Sequence, residues 1–193
     1  MNPLRAHLLP AVVMLVLLAL AGVTAAPLRA AELARPEGPV VVTVAGNIQN
    51  SNREPFDAQK DLFLKYHERS FEKAAQFDVA MLEALGLQAV EIVLEAWPEP
   101  VYVQGPYLRD LVAAVGGSGS RITLVALDGY ASEISWDELQ TLDWIVGTRQ
   151  DGRPLGLGQR GPLWVVYTYP DGRALSADDE LRWPWATFYI EIN

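Results

Sequence analysis

Apolar residues come in short runs broken by Gly, Pro, Asp and Asn, a spacing suited to strands and short helices. Val40 to Val44 predicts a first strand, closed by Ala45-Gly46-Asn47, and Asn47 to Glu54 predicts a loop. Phe56 to Ala75 sets Leu62, Phe63, Tyr66 and Phe71 among Lys, Glu and Arg, which predicts an amphipathic helix. Asp78 is placed to cap a short helix, Val79 to Leu85, that Gly86 ends. Leu87 to Leu94 alternates as a strand does; Pro98 and Pro100 break it, and Val101 to Val103 resumes extended chain. Pro106 opens a helix over Tyr107 to Val115, stopped by Gly116-Gly117. Arg121 to Leu127 and Tyr130 to Ile134 predict two strands joined at Asp128-Gly129, a strong hairpin signal.

The pattern continues to the end of the chain. Ser135-Trp136-Asp137-Glu138 has the form of a capping box at the start of a helix. Asp143 to Thr148 and Pro162 to Thr168 predict further strands, with turns at Asp151-Gly152 and Pro170-Asp171-Gly172. Ser176 can cap a helix over Ala177 to Arg182, and Trp185 to Ile192 predicts a last strand. No repeat and no second domain is visible. The expectation is a single α+β domain of mixed β-sheets with short helices, its strands too irregularly separated for a doubly wound parallel sheet.

Composition changes this picture at the N-terminus and in its chemistry. Arg5 and His7 precede an apolar run from Leu8 to Val23, and Val23-Thr24-Ala25 supplies small residues for cleavage. Residues 1–25 therefore read as a signal peptide and the mature chain as exported, with an uncleaved anchor as the alternative. Residues 26–39, rich in Pro and Ala, are expected to be a mobile spacer before a domain over 40–193. The formal net charge of −9 repels nucleic acid and anionic lipid, so neither is expected as a main partner. The chain has no cysteine, so packing rather than disulfides must stabilise it. With only two histidines, His7 in the signal and His67 in a polar stretch, a multi-histidine metal site is excluded and a histidine-based triad disfavoured.

The segment Thr148 to Tyr167, TRQDGRPLGLGQRGPLWVVY, is the strongest ligand-loop signal. Gly156-Leu157-Gly158-Gln159-Arg160-Gly161 satisfies G-x-G-x-x-G, but Pro162 and a strand follow it where a dinucleotide site needs a helix N-terminus. Its glycines suit tight turns or close backbone approach to a ligand. The acidic runs Asp137-Glu138 and Asp178-Asp179-Glu180 fall at helix N-termini, where negative charge offsets the dipole, rather than reading as paired catalytic carboxylates.

Six blocks carry a resemblance: VVTVAGNI (Val41 to Ile48), FDVAMLEAL (Phe77 to Leu85), GPYLRDLVAAVG (Gly105 to Gly116), VALDGYASEI (Val125 to Ile134), the Thr148 to Tyr167 segment and RWPWATFYIEI (Arg182 to Ile192). In this order they resemble the sulfite-oxidase-type molybdopterin-binding domain family in its small exported bacterial form. The region 53–75 looks like a helical insertion in that pattern. By resemblance, oxidoreductases of this fold hold molybdenum through a cysteine just before a V-E-A-W type segment. Here that segment is Val93-Leu94-Glu95-Ala96-Trp97, so the ligand position falls on Val93, an aliphatic side chain with no lone pair. The resemblance then narrows to the cysteine-less periplasmic pterin-binding regulators of the PruR type. It implies a reduced pterin as ligand and, as partner, the periplasmic part of a membrane enzyme that makes or degrades cyclic di-GMP.

A pterin is flat and polar, so it needs a face to stack on and partners for its amide and amino edges. Trp97 and Trp185 are the candidate faces, with core packing as the alternative for each; Trp136, Trp144 and Trp164 are assigned to the core. Asp128, in Asp128-Gly129-Tyr130, offers a carboxylate to the amino-pyrimidine edge, or else serves only the turn. Glu95 is a second candidate for the same role. Arg149, Arg160 and Arg182 are candidate cationic contacts, or else solvated loop arginines. Arg160 with Gly161 stands where the oxidoreductases have a histidine at the phosphate arm, by resemblance. Two rival expectations remain: a molybdopterin oxidoreductase whose metal lacks a protein thiolate, and a scaffold domain that has lost every ligand.

Overall fold

The computed structural model describes residues 33–193; the expected signal peptide, residues 1–25, and residues 26–32 of the expected spacer lie outside the described residues. The chain folds as a mixed α+β domain of three sheets and five short helices among the described residues. The first sheet contains β1 (Val42–Gly46), β2 (Ala74–Phe77), β5 (Arg121–Ala126), β6 (Ala131–Ser135) and β11 (Thr187–Ile192), in the order β2-β1-β11-β5-β6. β1 and β11 are parallel neighbours, Thr43 opposite Tyr189, while the remaining ladders of this sheet are antiparallel. Parallel strands need a long crossover, and here most of the domain supplies it. All of Val42 to Ala45 is buried, so this pair has no solvent face.

The second sheet pairs β7 (Asp143–Gly147) with β10 (Trp164–Thr168), and the third runs β3 (Gln88–Ile92), β4 (Val101–Gly105), β8 (Arg149–Gln150), β9 (Arg153–Pro154). β7 runs on into β8 through Thr148, whose N–H donates to the Gln104 carbonyl at 2.8 Å, so the two small sheets share one continuous edge. Strand positions follow the expected ones closely because each run is bounded by turn residues that cannot extend it. Asp128-Gly129 makes the predicted hairpin: Gly129 takes φ 91° and the Tyr130 N–H donates to Asp128 Oδ1 at 2.9 Å.

Helices α2 (Val79–Ala84), α3 (Leu108–Ala114), α4 (Trp136–Thr141) and α5 (Ala177–Glu180) also begin at or within a residue or two of the expected starts. Ser135 and Glu138 form the capping box of α4, and Ser176 with Asp179 forms one at α5. The expected helix over 56–75 does not form. Only α1 (Leu62–Tyr66) is helical; Glu68 at φ 56° reverses the chain and Ala74 to Phe77 joins the main sheet as β2. Carboxylates compete with the helix for backbone donors: Asp57 Oδ1 accepts from the Gln59 N–H at 2.8 Å, and Asp61 Oδ2 from the Asp57 N–H at 2.9 Å. Phe56 and Phe71, ring centroids 6.0 Å apart, close the base of the loop. The region 53–75 is thus a loop with one helical turn, and its last residues belong to the core.

The spacer also differs from expectation where it is described. Glu37 and Gly38 donate their N–H groups to Asp78 Oδ2 at 3.0 and 2.7 Å, and Asn52 Nδ2 donates to the Ala34 carbonyl at 2.7 Å. These bonds fasten 34–38 onto the domain, so its edge lies before Val40. Among the described residues no helix is long and apolar enough to cross a membrane.

Asp179 fixes the segment that matters most below. Its residue is only 8% exposed, yet the carboxylate stays charged through four hydrogen bonds. Tyr167 and Tyr169 hydroxyls donate to Oδ1, the latter at 2.6 Å, and the Ser176 N–H and Oγ donate to Oδ2 at 2.7 Å each. Burial alone would raise its pKa, but the tyrosine and serine donors outweigh it and hold the group at about 2. A depressed carboxylate adds stability above its unfolded pKa, near 4, and loses it as pH falls through the folded value. Urea melts should therefore show a stability loss concentrated between about pH 4 and pH 2. Asp179→Asn should flatten that loss and cost about 2 kcal/mol at pH 7, because an amide cannot accept all four donors; an unchanged acid limb would contradict this assignment.

Candidate functional site

The segment after α5 builds one wall of a cavity of about 480 Å³, within the size range of small-molecule sites. Leu181 to Ala186 is pinned from two sides. The Tyr130 hydroxyl donates to the Leu181 carbonyl at 2.6 Å and Ser132 Oγ to the Arg182 carbonyl at 2.9 Å. From the other side, Val165 N–H donates to the Pro184 carbonyl at 3.0 Å and Ala186 N–H to the Arg160 carbonyl at 2.9 Å. Ala186 sits at φ 52°, a left-handed conformation that costs an alanine about 1 kcal/mol. Its two backbone bonds, to Arg160 and from Leu127, hold it there.

Trp183 is 2% exposed and Trp185 is 61% exposed, but both line the cavity. The buried Trp183 indole N–H has no hydrogen-bond partner among the protein atoms. A buried unpaired donor costs about 1–3 kcal/mol. Asp128, Tyr130 and Glu180 contribute polar groups to the same cavity. Asp128 spends Oδ1 on the turn; among the described residues Oδ2 has no protein partner.

Arg160 stands on the opposite wall. Its guanidinium carbon lies 4.4 Å from the Trp164 ring centroid and 5.1 Å from that of Trp97, and Nη1 donates to Gln150 Oε1 at 3.1 Å. It is flanked by two indoles and has no carboxylate partner among the described residues. The Trp97 and Trp164 rings are 6.0 Å apart and tilted by 34°. The aromatic contacts then continue inward from Trp164 to Trp183 at 6.3 Å, and from Trp183 to Tyr167 at 5.8 Å.

Of the residues expected from sequence, Asp128, Tyr130, Arg160 and Trp185 meet at this cavity. Trp97 reaches it only through Arg160, and itself lines a neighbouring cleft with Pro98 and Val101. Arg149 lies elsewhere: its Nε and Nη2 make a bidentate pair with Glu83 at 2.7 and 2.9 Å. That pair, with a further bond from Thr148, holds the Glu83 pKa below the usual carboxylate range. Arg182 is likewise committed, bonding Glu138 at 2.7 Å and covering the rings of Trp144 and Tyr167. Glu95 lines a different cavity beside Leu175 and Ser176. Trp164, assigned to the core by sequence, is both buried and a cavity wall.

The sequence reading also passed over Trp183, Glu180 and Leu181. Trp183 stands two residues from Trp185 in Trp-Pro-Trp, and both indoles line the cavity. Gly161 acts through the backbone. A Cβ there would sit 2.5 Å from the Leu155 carbonyl oxygen and 2.8 Å from that of Gly156, so only glycine lets the loop close under Arg160.

The molybdenum centre that the resemblance implies finds no donor set here. The sequence has no cysteine, and Val93, at the expected ligand position, is an aliphatic side chain 55% exposed to solvent. Among the described residues no group of three or more His, Asp or Glu is arranged to hold a metal ion. The residues do not fit a protein-held metal. No protein-family model matches the chain, and no characterised protein matches it in sequence.

Gly161→Ala should destabilise the fold by about 2 kcal/mol, because the clashing atoms are backbone and cannot swing away. It should also blue- or red-shift the tryptophan emission as Arg160 leaves its indoles. A variant with unchanged melting temperature and emission would refute this account of the loop.

Proposed function

We propose that this chain is a non-catalytic, periplasmic pterin-binding protein with a sulfite-oxidase-type fold. On this reading it reports a reduced pterin to the periplasmic part of a membrane cyclic di-GMP signalling enzyme. One observation carries the ligand assignment: a cavity walled by indoles and a guanidinium, with carboxylate oxygens at its edge. A flat heterocycle with both donors and acceptors on its rim is the ligand that satisfies all of these at once.

The groups divide the work by chemistry. Trp185 and the Trp164–Arg160 wall supply stacking faces. Asp128 Oδ2 and the Glu180 carboxylate accept from ring amino and imino donors, as paired N–H groups suit carboxylate oxygens. The sulfite-oxidase-type assignment rests on the order of the six sequence blocks, and the mixed α+β architecture agrees with it at that coarser level. Export and the signalling partner rest on the resemblance and on the N-terminal apolar run alone.

Calorimetry with a tetrahydropterin tests the central claim. The native chain should bind it with one-to-one stoichiometry, and Trp185→Ala should weaken binding about tenfold by removing a stacking face. Trp185 is exposed, so this variant should keep its melting temperature. Failure of the native chain to bind any reduced pterin would overturn the proposal.

A further inference from the structure

The cavity has a neighbour that the pterin reading leaves empty. A second cavity, of about 560 Å³, opens on the far side of Arg160 and Trp185, and these two side chains line both. Its other walls are polar on one side, with Gln150, Arg153 and Gln159, and apolar on the other, with Pro154 and Leu155. The hairpin β8–β9 positions the polar wall: Gln150 pairs with Arg153 across the turn at Asp151-Gly152.

Its charge balance points one way. Asp151 also lines this cavity, but Oδ1 accepts the Tyr102 N–H at 2.9 Å and Oδ2 accepts from Gln150 Nε2 at 3.2 Å. Seven ion pairs occupy Arg53, Lys60, Arg69, Arg109, Arg121, Arg149 and Arg182. Neither Arg153 nor Arg160 has such a partner among the described residues. In a chain of net charge −9, two arginines without carboxylates converge on one cavity. Anions are the ligands that such an arrangement selects.

Size then separates one anion from another. A single phosphate would fill a small part of about 560 Å³, and would leave Pro154, Leu155 and the Trp185 edge uncovered. An aryl spacer covers those apolar groups and carries a terminal carboxylate on to Arg153. We propose that the ligand is a conjugated reduced pterin. Its ring system lies in the first cavity, and an aryl-amide tail ending in carboxylate, as in the reduced folates, lies in the second. This inference rests on the pterin reading and adds the tail.

Three ligands separate the two. Calorimetry would compare a tetrahydropterin without a tail, a reduced folate and a reduced pterin bearing a phosphate, each with the native chain and with Arg153→Gln. Arg153 is exposed and makes no side-chain bond within the protein, so its replacement should leave the melting temperature unchanged. The reduced folate should bind the native chain about tenfold more tightly than the tail-less pterin. Arg153→Gln should erase that advantage without altering the tail-less affinity. Equal affinities for the two ligands, or an advantage that survives Arg153→Gln, would overturn the tail assignment while the pterin reading stands. Tighter binding of the phosphate form would replace the carboxylate tail with a phosphate one. Failure of all three to bind would overturn the pterin reading itself.

Discussion

The Asp179 carboxylate is the constraint on which the site depends. A buried charge is tolerated only when hydrogen bonds replace its lost water, and here all four come from the protein. Two of the donors sit on Tyr167 in β10 and Tyr169 just beyond it; the other two come from the N-cap of α5. The charge therefore ties a four-residue helix, too short to persist alone, to the second sheet. Everything downstream inherits that anchor. Leu181 to Ala186 leaves the helix in a set direction, is caught by Tyr130 and Ser132 on one side and by Val165 on the other, and delivers Trp183 and Trp185 to the cavity.

The same anchor organises the aromatic interior. Tyr167 contacts Trp144 at 4.5 Å and Trp183 at 5.8 Å, and Trp183 contacts Trp164. A guanidinium sits at each end of this series, Arg182 over Trp144 and Tyr167 and Arg160 beside Trp164 and Trp97. Each such contact is worth about 0.5–1 kcal/mol. The two ends differ in a way that bears on function. Arg182 is paired with Glu138, whereas Arg160 lines open cavities and, among the described residues, has only Gln150 as a side-chain hydrogen-bond acceptor. Trp144 and Trp183 each carry a buried indole N–H without a partner among the described residues, and of the two only Trp183 lines a cavity around Arg160.

Much of the fold was legible because its signals are local. Asp78, Ser135 and Ser176 each cap the helix expected of them, and Asp128-Gly129 turns the expected hairpin. The region 56–75 misled because its apolar residues have helical spacing while Asp57 and Asp61 take backbone donors that a helix would need. That competition depends on where Arg53 and Phe71 end up, which no window of sequence contains. The site was legible in part for the same reason. Asp128, Arg160 and Trp185 are marked by turn, loop and strand-end chemistry. Arg149 and Arg182 carry the same local marks, and only the positions of Glu83 and Glu138 in the fold separate them from Arg160.

What distinguishes this cavity from a gap in packing is that its walls are already ordered. The backbone bonds of Leu127, Arg160, Val165 and Ala186 fix the course of the main chain along the walls. A binding partner then avoids most of the ordering cost that association otherwise carries. The left-handed Ala186 fits this view: its strain is stored in the fold and sets the angle between Trp185 and the last strand. An exposed indole beside an uncompensated guanidinium gains most from a planar, polar ligand, which covers the apolar face and returns acceptors to the N–H groups. A purely apolar ligand would bury Asp128 and Arg160 unpaired, and the cost of desolvating either would outweigh the area gained. On the proposed reading, walls of this chemistry favour a ligand that is flat and polar at the same time.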